Sequence, residues 1–147
     1  MATIRFDVGS AVAYTDSGGH VWNADQFGSG GTVSSKPNDI GNTIDDNLYR
    51  TYRYGNFTYA VPVTNGTYDV YLELVEPWWN APGQRIFSVA AEGTTVLSNV
   101  DVFAMAGKFN AAERSFTVPV SDGVLNLTFT SSIDNAIVSA IVLVLRP

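Results

Sequence analysis

The chain contains no cysteine, which excludes disulfides, thiolate zinc sites and a cysteine nucleophile together. It has one histidine, His20, set between Gly19 and Val21; a lone histidine is poor evidence for a metal site or a catalytic base, so it reads as a surface or structural residue. Charge is scarce: 15% of residues are charged, against about a quarter in ordinary soluble domains. Basic charge is scarcest, with eight Lys and Arg against fourteen acidic residues and a net charge of −6. Only Arg50 and Arg53 lie close together, so the phosphate neutralisation needed for nucleic acids or anionic membranes is missing. The longest apolar run, Ala136–Leu145, is far short of the ~20 residues that span a bilayer. No nucleophile elbow, phosphate-binding loop or metal-ligand cluster occurs. Met1-Ala2-Thr3 is expected to lead straight into a strand without the charged and apolar stretches of a signal peptide, as in a cytoplasmic protein or a module cut from a longer secreted parent.

What is present is short alternating runs and turns. Residues 1–147 predict one domain. Strands are expected over Ile4–Val8, Leu48–Tyr54, Phe57–Val63, Thr67–Val75 and Arg85–Ala91. Phe116, Val118 and Val120 alternate with polar neighbours, as do Leu125, Leu127 and Phe129. Ala136–Leu145 is apolar on both faces, the pattern of one central strand. Gly55-Asn56 reads as a hairpin turn, and Asn65-Gly66, Glu92-Gly93 and Asp122-Gly123 separate other strands. A helical turn is expected only around Phe103–Ala106. Residues 9–44, rich in Gly, Ser, Asn and Asp, are expected to form functional loops or short strands. Period and turn chemistry agree on an all-β fold, an antiparallel β-sandwich.

Trp78 and Trp79 follow the strand ending at Val75 and are bounded by Pro77, Pro82 and Gly83, so they read as a surface loop. Two indoles on a loop make an apolar platform with polar edges, suited to sugar rings or nucleobases. The shortage of basic residues disfavours bases.

Several motifs resemble the malectin domain, also known as carbohydrate-binding module family 57. They are Tyr14-Thr15-Asp16 with Trp22, Leu48-Tyr49-Arg50-Thr51-Tyr52-Arg53-Tyr54-Gly55, Gly66-Thr67-Tyr68, Gly83-Gln84-Arg85-Ile86-Phe87, Asp101-Val102-Phe103 and Asp134-Asn135-Ala136-Ile137. The resemblance implies a jelly-roll, galactose-binding-like sandwich that binds glucose-containing oligosaccharides without catalysis. Bacterial relatives are appended to glycoside hydrolases, so the expected setting is extracellular or periplasmic, within a secreted bacterial protein beside other modules. By the same resemblance Trp78 and Trp79 match the family's aromatic pair, Tyr54 its stacking tyrosine and Asp134 its acidic residue. The chain departs from the family near Asp39-Ile40-Gly41, where it has no aromatic, and in having Trp-Trp where animal malectin has a Tyr-Phe-like pair.

The expected ligand-binding set is therefore Tyr54, Glu76, Trp78, Trp79 and Asp134, and the expected ligand a neutral glucan or related glycan. Glu76 either bonds a sugar hydroxyl or braces the loop. Arg53 pairs with Glu76 or a nearby aspartate. Tyr49, Tyr52 and Tyr59 read as cross-strand packing residues. The oxygen-rich stretch Asn38-Asp39, Asn42, Asp45-Asp46-Asn47 offers ligands of the calcium type, but its spacing does not match an EF-hand, and no cofactor is expected. The three sequons at Asn56, Asn65 and Asn126 are expected to carry no glycan. Two alternatives remain: a protein-interaction or adhesion domain with the Trp78-Trp79 loop as hot spot, and a small hydrolase using Glu76 and Asp134 as its carboxylate pair.

Overall fold

Alternation of apolar and polar side chains turns most of the chain into strands, and the computed structural model, which describes residues 2–147, arranges them as two sheets. In chain order the elements are β1 (Thr3–Asp7), β2 (Tyr14–Thr15), β3 (Val21–Ala24), β4 (Gly28–Ser35), α1 (Asp46–Arg50), β5 (Thr51–Pro62), β6 (Gly66–Leu74), β7 (Ile86–Ala91), β8 (Thr94–Val100), α2 (Val102–Ala106), β9 (Ala112–Val120), β10 (Val124–Ile133), β11 (Ala136–Val138) and β12 (Ala140–Leu145). One sheet has the order β2-β3-β1-β12-β6-β9; the other runs β11-β5-β10-β7-β8, with β4 also paired to β5. Pairing is antiparallel except between β1 and β3. This is the antiparallel β-sandwich expected from the sequence.

The core lies between the sheets. Tyr68, Val70, Leu72 and Leu74 of β6 are buried, as are Leu125, Leu127 and Phe129 of β10, the faces that alternation marked. Phe57 and Phe129 are direct cross-strand partners and their rings stack with centroids 4.5 Å apart. A smaller cluster of Trp22, Ile40, Leu48, Tyr49, Val75 and Ala140 forms a second core.

Expectations are corrected in three parts of the chain. First, Leu48–Arg50 is helical, not strand: α1 buries Leu48 and Tyr49 in the second core, and that packing outweighs local β propensity. Gly55-Asn56 is not a hairpin, because β5 passes straight through it. Thr32 of β4 faces Tyr54 and Gly30 faces Phe57, so β5 carries one extra residue there, a β-bulge. Gly55 has φ +121°, and a Cβ on it would come within 3.0 Å of Gly31 Cα. The bulge changes which residues face inward: Phe57, Tyr59 and Val61 beyond it, Tyr52 and Tyr54 before it.

Second, Ala136–Leu145 is two strands. β11 joins one sheet and β12 the other, with buried Ser139 at the crossing. Each half is buried in its own sheet, which explains the two-faced apolar pattern. Third, of the Asn-Gly, Asp-Gly and Glu-Gly turns only Glu92-Gly93 joins paired strands, with φ +51° and +81°. Asn65-Gly66 and Asp122-Gly123 carry the chain between sheets and clasp each other: the Gly123 amide donates to Asn65 Oδ1 at 2.7 Å, and Asn65 Nδ2 to the Ser121 carbonyl at 3.1 Å. The helical turn near Phe103 is present as α2, capped by Asp101, which accepts from the Ala104 amide. Residues 9–44 carry β2, β3 and β4.

Candidate binding cleft

The bulge in β5 sets up the site. Tyr52 and Tyr54, two residues apart on one strand, share a face. They line a cleft of about 280 Å³ together with Ser34 and Lys36 at the end of β4, Pro77–Trp79, Arg85, Asp134-Asn135 and Ile137. β4 pairs with one edge of β5 and β11 with the other. The cleft thus has one wall at the end of β4, another at the start of β11, and the tryptophan loop beside them.

The loop is held from below. Glu76 is completely buried, and its carboxylate accepts from Arg85 Nε at 2.7 Å and Nη2 at 3.3 Å and from the backbone amides of Trp78 at 3.0 Å and Trp79 at 3.2 Å. Arg85, 5% exposed, also donates Nη1 to the Asn135 carbonyl at 3.1 Å and approaches Asp134 Oδ2 at 3.5 Å. One guanidinium therefore ties the tryptophan loop to the β10–β11 turn, in the bidentate geometry that makes arginine pairs specific. The far side of the loop is fixed as well: the Gly83 amide donates to Asp101 Oδ2 at 2.7 Å, and Lys108 Nζ to Asn80 Oδ1 at 3.0 Å.

The indoles do different work on this frame. Trp78 is 58% exposed, and Lys36 Nζ sits 4.5 Å from its ring centroid, a cation–π contact. Trp79 is half-buried and donates Nε1 to Asp134 Oδ2 at 3.1 Å. Asp134 holds φ +60°, a conformation aspartate tolerates, which fixes its place in the turn before β11. Tyr52 and Tyr54 rings lie 6.1 Å apart, tilted by 52°. Burial raises the Tyr52 hydroxyl above its ordinary pKa, so it remains a neutral donor and acceptor.

The structure thus brings Tyr54, Trp78, Trp79 and Asp134 to one cleft. Glu76 is the correction: it lies beneath the cleft with both oxygens bonded within the protein, so it braces the loop and does not meet a sugar hydroxyl. Its partner is Arg85; Arg53 pairs with an aspartate, the second of its two expected partners, bonding Asp25 at 3.1 Å. The oxygen-rich stretch is organised by Arg50, which bonds the Asn38 carbonyl, Asn47 Oδ1 and Asp39 Oδ1, while Asp46 accepts from the Ile40 amide. Among the described residues no group of three or more His, Cys, Asp or Glu is placed to hold a metal ion. Sequence reasoning missed Lys36, Tyr52, Arg85 and Asn135 as cleft residues. Tyr52 was findable from its two-residue spacing to Tyr54. Lys36 carried no signal, because its position depends on the β4–β5 pairing.

A family model described as the malectin domain matches residues 2–141. The chain belongs to that family, a lectin-type β-sandwich. Malectin-B of Xenopus laevis is 28% identical over 100 residues, covering 63% of this chain and 36% of the relative. Human malectin is 29% identical over the same length, covering 34% of that protein. The matched stretch thus spans about a third of these relatives. Among solved structures, a β-glucuronidase from Bacteroides uniformis superposes with a TM-score of 0.88 at 19% identity, over 99% of this chain and 18% of the enzyme. The extracellular domain of ANXUR2 from Arabidopsis thaliana superposes with a TM-score of 0.83 at 18% identity, over 98% of this chain and 49% of that one. At these identities the two structures show a shared fold.

Proposed function

We propose that this malectin domain is a non-catalytic glycan-binding module whose ligand, a glucose-containing oligo- or polysaccharide, stacks on Trp78 in the cleft. One observation carries the reading: an exposed indole is held at a cleft rim by a fully buried ion pair beneath it. A domain gains nothing in stability from presenting an indole to water, whereas a prepaid platform lowers the ordering cost of binding. Trp79, Tyr54 and Tyr52 supply further apolar surface, and Asp134 accepts hydroxyl protons on the oxygen not engaged by Trp79.

The hydrolase alternative loses its acid–base pair. A glycosidase needs two carboxylates facing each other across substrate. Here Glu76 and Asp134 both turn to the Arg85 guanidinium, and Glu76 is closed off from the cleft. The similarity to 18% of a much larger β-glucuronidase supports the reading of an appended module that brings an enzyme to its polysaccharide, and the similarity to a receptor's extracellular domain supports a secreted or extracellular setting.

Glycan-array and affinity-gel screening test the proposal. The expected result is retention by a polysaccharide that Trp78→Ala abolishes. Unchanged retention by folded Trp78→Ala and Trp79→Ala variants sinks it. The protein-interaction reading gains if no glycan is retained and the same loop captures a protein partner.

A further inference from the structure

The walls of the cleft differ in charge. At the β11 wall, Asp134 lies against Trp79 Nε1 and Arg85 Nη1. Arg85 is fully committed there, to Glu76, the Asn135 carbonyl and Asp134. At the β4 wall stands Lys36, with no carboxylate within 4.0 Å among the described residues and only the Trp78 ring beneath its ammonium. β5 lies between these walls, which stand on its opposite edges. In a chain of net charge −6, the one uncommitted cation of the cleft is therefore set against the most exposed stacking ring.

Resting on the glycan reading above, we infer that the ligand is an acidic glycan, and that a hexuronate carboxylate is received by Lys36 while the sugar ring carrying it, or the next one, stacks on Trp78. A carboxylate beside Trp78 keeps the ammonium over the indole and adds a charge-assisted hydrogen bond. The same carboxylate at the other wall would meet Asp134, so the charge pattern also fixes the direction of the chain: acid towards β4, hydroxyls towards β11. This departs from the neutral glycan expected from the sequence, and the reason is Lys36.

The test is calorimetric titration with a panel of oligosaccharides containing glucose and glucuronic acid in different linkages, each beside its carboxyl-reduced, all-glucose form. The expected result is a preference of about five-fold for an acidic form at low salt, shrinking at high salt. The preference disappears in Lys36→Met, which keeps the aliphatic stem over Trp78, and persists in Lys36→Arg. Equal or tighter binding of the reduced forms, with both lost in Trp78→Ala, overturns the inference and leaves the glycan reading standing. If no member of the panel and no glucan binds, both fall together.

Discussion

Glu76→Gln separates the frame of the cleft from its surface. The carboxylate is completely buried and receives four donors, two from Arg85 and two from the amides of Trp78 and Trp79. An amide of the same shape replaces one acceptor oxygen with an NH₂, which then points at an N–H or at the guanidinium. It also leaves Arg85, 5% exposed, with Asp134 at 3.5 Å as its only carboxylate. Breaking a buried pair by removing one charge costs roughly 3–5 kcal/mol. The Asp134 contact offsets part of this, so about 3 kcal/mol is the working value. For a domain of this size that lowers Tm by roughly 6–12 °C. The assay is a thermal melt followed by near-ultraviolet circular dichroism, which reports the indoles directly, alongside glycan affinity at a temperature where the variant is folded. Affinity should fall as well, because the Trp78 and Trp79 amides lose their anchor. A Tm within about 2 °C of the parent would refute the claim that this ion pair holds the loop. A turnover activity in the parent, abolished in Glu76→Gln, would instead restore the hydrolase alternative.

Trp78→Ala should give the opposite pattern: since the ring is 58% exposed, Tm stays nearly constant, while affinity falls by the roughly 1–3 kcal/mol of one stacked ring, or about 5- to 150-fold by titration. Stability should fall as pH rises from about 5 to 8.5. Burial raises Asp7 to about 7 and Glu73 to about 8, so both carboxyls hold protons more tightly when folded. Their contribution is complete below about pH 4 and is lost progressively as pH rises through those values. Melts across this range check it, and Asp7→Asn should flatten the profile, whereas a flat parental profile refutes it. Gly31→Ala should cost more stability than Gly19→Ala, by about 1–2 kcal/mol in urea unfolding. Both glycines hold positive φ, but a Cβ on Gly31 meets the Tyr54 carbonyl oxygen at 2.5 Å, whereas one on Gly19 meets nothing within 4 Å. Equal costs would show that the bulge does not depend on this close approach.

What the sequence reveals here follows the range of the interaction concerned. The buried faces of β6 and β10 were legible because alternation within one strand is a local property. The Trp78-Trp79 loop was legible because its prolines act on the adjoining backbone. The bulge at Gly55 was not, since a glycine before an asparagine serves a hairpin and a bulge equally, and only the facing glycine of β4, Gly31, distinguishes them. The same holds for Ala136–Leu145: an apolar run states that both faces are covered, but not that two sheets do the covering.

The division of labour among the charges was hidden for the same reason. Glu76, Arg85 and Asp134 span 58 positions, and Lys36 reaches Trp78 only because β4 runs beside β5. An acidic residue next to an aromatic pair looks like a ligand contact in one dimension. In three dimensions its burial decides otherwise: a carboxylate with no access to solvent and four internal donors has no remaining capacity for a hydroxyl. In the proposed reading, recognition therefore falls to the groups this buried pair presents, the rings of Trp78 and Tyr54, the free oxygen of Asp134 and the ammonium of Lys36. Which of them a ligand engages most strongly is a question of charge as much as of shape.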